Sequence, residues 1–242
     1  MKRLAEGHEH LDGPLTDPTV LAGNLHDLAR INRAFGGVSL SRNAIDALAP
    51  GGDRPVDGPL RLLDVGTGGA DIPLALIATW RGRGRPLTAT AVDSRPEVLT
   101  AARVLHPDVV GEPGLRLEVA DGRSLPYSNG SFHIAHASLV LHHLEPAEAT
   151  ALLREMARVA SRGVVVNDLG RGWLPWLGAW LTLHLITRNR FTLHDGPLSV
   201  RRAYTLGEAR QLMAEAGLQA VHQEVGLAGH RWALAAIHRD DP

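Results

Sequence analysis

Asp64-Val65-Gly66-Thr67-Gly68-Gly69-Ala70-Asp71 links two short apolar runs, Leu60 to Val65 and Leu74 to Ala78, through a glycine-rich turn. That order reads as strand, tight turn and helix start, which brings backbone N–H groups close to a nucleotide-like ligand. A dinucleotide fingerprint would need a third glycine at position 71. Asp71 stands there, and a carboxylate beside a pyrophosphate is electrostatically wrong. A cationic ligand without phosphate suits the turn better. Two more carboxylates follow apolar runs, Asp93 before Ser94 and Asp121 before Gly122. A carboxylate at a strand end can accept from both hydroxyls of a ribose, which neutral side chains do poorly. Asp93 or Ser94 also reads as the cap of a helix opening at Pro96.

Proton-transfer chemistry points to His142 and His143, just past the run Phe132 to Ser138. One of the pair can act as base or touch substrate, with His143 preferred; both can equally fix their loop through backbone carbonyls. Neighbouring residues point different ways. Asn167 and Asp168 read as substrate contacts or as an Asx-turn. His184, His194 and Asp195, with Arg188 and Arg190, show no metal-ligand spacing, so no metal is expected there and 188–199 reads as a solvated polar bend.

The elements that must position these groups alternate. Strand-like runs are 60–65, 87–92, 115–119, 132–138 and 163–167; helix-like runs are 72–80, 96–105 and 146–160. Alternation of this kind predicts a doubly wound parallel sheet with ligands at the strand C-terminal ends. Residues 1–15 read as a polar, loose lead-in, followed by helices at 16–35 and 39–48 and a turn-rich linker at 50–59. The organisation expected is an N-terminal helical cap at 1–58 and an α/β domain at 59–242. An apolar helix at 173–186, a helix at 206–216 and strands at 219–225 and 231–237 complete it.

These motifs, in this order over residues 62–143, resemble those of class I S-adenosylmethionine-dependent methyltransferases. Asp64, Gly66 and Gly68 are similar to the family's first motif; Ala70 replaces its third glycine, as in some quinone-biosynthesis members. The resemblance implies a Rossmann-like sheet of about seven strands with an antiparallel last hairpin, and S-adenosyl-L-methionine as cofactor. It implies that Asp64, Gly66, Thr67, Gly68, Asp71 and Ser138 contribute to the cofactor site, that Asp93 and Ser94 serve the ribose, and that Asp121-Gly122 serves the adenine. His133 departs from the aspartate usual after Phe132; a surface position would make the change harmless.

The resemblance is to ubiquinone/menaquinone and natural-product enzymes, so the expected reaction is methyl transfer to a small apolar or aromatic acceptor. O-methylation of a phenol, quinol or polyketide-like hydroxyl comes first. C-methylation of a quinone ring, or a protein of this fold that binds the cofactor without transferring methyl, are the alternatives. With a phenol pKa of about 10 and a histidine pKa of about 6.5, proton transfer to histidine is uphill by roughly 4–5 kcal/mol, so a base is useful but not obligatory. Trp173 and Trp176 are expected against substrate, with 171–204 as lid or as interface in a homodimer.

Composition narrows the field. Of 242 residues 44% are apolar, and 25 basic residues balance 26 acidic ones, so neither a nucleic-acid partner nor a membrane-surface field is implied. Cysteine is absent, which removes disulfides and thiolate metal sites. Residues 1–8 lack the apolar stretch of a secretory signal, and 173–186 falls short of the roughly 20 residues that span a bilayer, so a cytoplasmic protein without stable membrane insertion is expected.

Overall fold

The structure, a computed structural model, describes residues 1–4, 7–14, 17–49, 58–107 and 111–239. Helices α1 (Pro18–Ala34) and α2 (Gly37–Leu48) precede strand β1 (Leu60–Val65), α3 (Asp71–Gly82), β2 (Leu87–Asp93), α4 (Pro96–Leu105), β3 (Leu115–Val119) and β4 (Phe132–Ser138). Then come α5 (Pro146–Val159), β5 (Ala160–Leu169), α6 (Trp173–Ile186), α7 (Arg190–Arg202), α8 (Leu206–Glu215), β6 (Leu218–Val225) and β7 (Arg231–His238). The linker expected at 50–59 lies, but for its last two residues, outside the described residues.

The seven strands run β3-β2-β1-β4-β5-β7-β6, parallel except for β7, which is antiparallel to both neighbours. This is the Rossmann-like sheet with its antiparallel last hairpin that the sequence leads one to expect. Parallel register sets Val65 beside Val92 and Ala137, and Asp93 beside Val119, so the strand ends bearing the glycine turn and the acidic residues share one edge. The order reverses between β1 and β4, where a crevice opens.

Strand residues alternate between two apolar layers. Leu63, Val65, Val92, Ala135 and Ala137 face α5 and α8; Leu62, Ala89, Ala91 and Ile134 face α2 and α3. The N-terminal helix α2 is thus part of the main core, and α1 packs on α4 through Leu21, Leu25, Val98 and Ala101.

Local chemistry sets the helix starts. Asp17 caps α1 before Pro18, and capping boxes open α5 (Glu145, Glu148) and α8 (Thr205, Glu208). The polar bend expected at 188–199 is instead helix α7. Asn189 accepts from the N–H groups of Phe191 and Thr192, and tertiary packing carries the helix through Gly196 and Pro197. His133 is not on the surface but 8% exposed, where its Nδ1 accepts from the Arg61 backbone N–H at 3.0 Å.

Candidate cofactor and acceptor site

A cleft of about 730 Å³ opens at the C-terminal edge of the sheet. Gly66, Asp93, Ser94, Asp121, Gly122 and His143 line it, together with Val65, Val140, Gly7, His8, Asp12 and Arg202. Six of the residues singled out in the sequence therefore meet on one cavity.

The turn after β1 is built for close approach. Gly66 has φ +67°, and a Cβ on it would stand 2.5 Å from Val140 Cγ2. A Cβ on Gly122 would stand 2.5 Å from Val65 Cγ1. Side chains are thereby excluded from two walls of the cleft. Ala70 and Leu139 also adopt left-handed backbone, with φ +59° each, strain of a kind that collects at functional sites. Thr67 donates its N–H to Val92 O, but its buried Oγ1 has no partner among the described residues. The bare Gly66 and Gly122 leave room for a ligand to lie against the turn, with the orphaned Thr67 hydroxyl buried behind it.

Asp93 braces this turn. Its carboxylate accepts from Gly68 N at 3.2 Å and from Arg95 N at 3.0 Å. Burial pushes its pKa up, against those two hydrogen bonds. Asp121 is held by Arg123 at 3.0 Å, and that guanidinium keeps its carboxyl below the usual range.

Five cofactor-site expectations, Asp64, Thr67, Gly68, Asp71 and Ser138, lie behind the cleft wall. Asp64 is 3% exposed and bonded to His136 Nδ1 at 2.6 Å; Asp71 accepts from Asn32 Nδ2 at 3.0 Å. Ser138 Oγ accepts from Arg231, and Gly68 supports the turn from below through Asp93. Burial first, and then the neighbouring Asp64 charge, raise the pKa of Asp71.

Sequence reasoning missed the network that joins these groups. His136 Nε2 meets Ser41 Oγ at 2.8 Å; Asn167 Nδ2 donates to Ser41 Oγ and Gly37 O, and Asn167 Oδ1 accepts from Arg231 Nε at 2.6 Å. Arg231 also donates to Asn32 Oδ1 at 2.9 Å, and burial pulls its pKa down to about 10. The Ser41–His136–Asp64 chain has the hydrogen-bond order of a nucleophilic triad. Ser41 and His136 are fully buried, so no substrate reaches it. His136, set among Ile134, Ala135 and Ala137 in β4, was the available signal.

The two adjacent histidines diverge. His142 is buried and donates Nδ1–H to Asp168 Oδ1 at 2.6 Å, while Asp168 also accepts from the N–H groups of His142 and Leu169. Asn167 and Asp168 are both essentially inaccessible and hold structure behind the cleft. His143 faces the cleft, with Nδ1 2.8 Å from Asp12 Oδ1 and 3.8 Å from Glu9 Oε2. Burial pulls its pKa down, but the Asp12 hydrogen bond and the charges of Glu9 and Asp12 outweigh that and leave it raised.

The partners of His143 come from the lead-in expected to be loose. Residues 7–13 instead cross the cleft. Arg95 donates to Leu11 O and Gly13 O, Asp195 accepts from the N–H groups of His10 and Leu11, and Arg202 binds Asp12 at 2.7 Å, Glu9 at 3.4 Å and His143 O. Glu9, His142 and His143 offer ligand atoms within 4.8 Å of one another, a set that could hold a metal. The Arg202 guanidinium already sits there as the cation. Trp173 and Trp176 do not line the cleft; they stack edge-to-face on α6, where Trp173 is 70% exposed.

Residues 62–163 match the family described as a methyltransferase domain. An uncharacterised methyltransferase of Synechocystis is 29% identical over 93 residues, 37% of this chain and 41% of that protein. The chain therefore matches less than half the length of that curated relative. A SAM-dependent methyltransferase from Aquifex aeolicus superposes with a TM-score of 0.60 at 17% identity, over 91% of this chain and 97% of that one. The O-methyltransferase NcsB1 from neocarzinostatin biosynthesis, in complex with S-adenosyl-L-homocysteine and 1,4-dihydroxy-2-naphthoic acid, superposes with 0.62 at 18% identity, over 92% and 59%. At these identities the superpositions establish the fold.

Proposed function

We propose that this chain, whose residues 62–163 match a methyltransferase domain, moves a methyl group from S-adenosyl-L-methionine to a hydroxyl of a small aromatic or apolar acceptor. A phenol, quinol or polyketide-like hydroxyl is the acceptor class favoured. One observation carries the reading: Gly66, Asp93, Asp121-Gly122 and the Asp12-bound His143 line a single cleft at the sheet's C-terminal edge. The family match and the fold shared with NcsB1 support it.

Bound there, S-adenosylmethionine would supply an electrophilic methyl group on a sulfonium. Asp93, with Ser94 beside it, would accept from the ribose hydroxyls, since each carboxylate oxygen keeps a second lone pair after bonding the backbone. Asp121 and Gly122 would border the adenine. Asp64 and Asp71 stand behind the turn and hold it through His136 and Asn32.

The acceptor's proton needs a destination. His143 Nε2 has no hydrogen-bond partner among the described residues, while Nδ1 is anchored on Asp12. His143 Nε2 would take the acceptor's O–H proton as the methyl carbon's bond to sulfur breaks and its bond to the acceptor oxygen forms. Asp12 makes that transfer less uphill, because each unit by which the imidazole pKa rises removes about 1.4 kcal/mol from the gap to a phenol. A hydroxyl acceptor uses this arrangement, whereas an activated ring carbon has less need of it. Methyl transfer is otherwise alignment in a dry pocket, which residues 7–13 and α7 help to enclose. In this scheme Asn167 and Asp168 shape the acceptor side from behind.

The test is a calorimetric titration with S-adenosylhomocysteine, with NAD as comparator, followed by a labelled-methyl screen of phenols, quinols and carboxylic acids. Binding of the first and not the second, with label entering a phenol or quinol, is expected. No binding of S-adenosylhomocysteine overturns the reading.

A further inference from the structure

Helix α6 (Trp173–Ile186) is apolar on every side, yet only Pro175 and Leu183 are buried. Trp173 and Leu174 are each 70% exposed and Leu185 is 84% exposed, with Leu177, Trp180 and Leu181 between 42% and 49%. Positions 173/174, 177, 180/181 and 184/185 form one stripe at helical spacing. Leu227, 88% exposed on the turn that packs against α6, extends it. Soluble proteins rarely leave so continuous an apolar surface without use. None of these residues lines the cleft.

Charge identifies what the stripe meets. No acidic residue occurs between Asp168 and Asp195, while Arg188 and Arg190 follow the helix. Arg188 is exposed and forms no ion pair among the described residues; Arg190 is 66% exposed, 3.4 Å from Asp17. At the other end, exposed Lys2 follows Met1, whose carbonyl accepts from Arg171. Tryptophans amid leucines, with cations at both ends, match the headgroup zone of an anionic bilayer. A second copy packed here by two-fold symmetry would meet the same patch, where Asp17 already pairs with Arg190 and no carboxylate stands against Arg188 or Lys2 among the described residues. At 14 residues the helix is about 21 Å long, against roughly 30 Å of bilayer hydrocarbon, so it fits in the plane of the surface and does not cross. The near-zero charge of the whole chain conceals this local asymmetry.

We propose that α6 seats this protein on an anionic lipid bilayer, lying in the headgroup plane with its tryptophans and leucines in the acyl boundary. The proposal stands independently of methyl transfer.

The full chain is mixed with vesicles of phosphatidylglycerol and phosphatidylcholine, or of phosphatidylcholine alone, and sedimented. Co-sedimentation with the anionic vesicles that weakens with added salt is expected. A blue shift in tryptophan emission should accompany it; Trp80 and Trp232 are already buried, so the shift belongs to α6. A Leu174→Glu/Leu185→Glu double variant, both sites exposed, should bind about tenfold or more weakly with an unchanged melting curve. Val104→Glu, at another exposed apolar site on α4, should bind as the parent does. Absence of sedimentation with the anionic vesicles overturns the proposal, as does binding indifferent to the double variant. A dimer by light scattering that the double variant dissociates, with no vesicle binding, assigns the patch to a second copy instead.

Discussion

Replacing Asp12 by asparagine should lower the pKa of His143 and carry the proton chemistry of the cleft with it. Asp12 Oδ1 stands 2.8 Å from His143 Nδ1, and its hydrogen bond and charge help hold the imidazole above its ordinary value against burial. An opposite charge at such range shifts a pKa by about 1–3 units. The Asp12 side chain is 36% exposed, so solvent screens it, and Glu9 remains 3.8 Å from the same nitrogen. The lower end applies: about one unit, or ~1.4 kcal/mol. Histidine NMR titration reads this without any acceptor, with the resonance assigned by its loss in His143→Gln. In a pH–rate profile, kcat/KM should rise as His143 loses its proton; the asparagine variant should rise about one unit earlier, to a lower plateau because the base is weaker. The stability sign agrees. A raised histidine stabilises fully below about 6.5, and that contribution is lost as pH climbs through its folded value. A His143 pKa that stays put, or rises, in Asp12→Asn refutes the reasoning.

Asp93→Ala should weaken S-adenosylhomocysteine binding by about ten- to a hundredfold, the loss of a charged acceptor worth about 1.5–3 kcal/mol; unchanged affinity in calorimetry removes the ribose role. Because burial raises the Asp93 pKa, affinity for S-adenosylmethionine should fall with acidification starting above the ordinary carboxylate value of about 3.9, which titrations at stepped pH would detect. Gly66→Ala should cost about 1–2 kcal/mol from its left-handed backbone alone, plus the collision with Val140, and adding Val140→Ala should recover only the second part in urea denaturation. Asp168→Ala strips the partner from buried His142 and from two backbone N–H groups, so a loss of about 3–5 kcal/mol is expected, and a parental melting curve would contradict it.

The half of the cleft proposed to hold the cofactor was legible because its signals are local. Gly66, Asp93 and Asp121-Gly122 each sit at a strand end, and parallel register delivers strand ends to one edge whatever else the chain does. His143 was legible as a candidate for the same reason. Its partners were not: Asp12 lies 131 positions earlier in the chain, in a segment with no periodic pattern. Ser41, His136 and Arg231 sit on three separate elements, and nothing in their spacing announces that they share hydrogen bonds. Helix α7 was hidden by Gly196 and Pro197, which disfavour the helix that packing against α6 and α1 enforces; the Asn189 cap was its one local sign. Trp173 and Trp176 were read as substrate contacts yet line no part of the cleft, because hydrophobicity alone does not say which way a helix turns.

Strand β7 is the last in chain order yet lies inside the sheet, between β5 and β6. During synthesis β5 must therefore remain an open edge until residues 231–238 have left the ribosome. Arg231, which ties Asn32, Ser138 and Asn167 together, arrives only with that strand. The glycine turn and the carboxylates of β1 to β3 can assemble early, while the floor under the far side of the cleft waits for the final pairing. A nascent chain lacking β7 has the β1–β3 side of its cleft and an exposed β5 edge in place of the other.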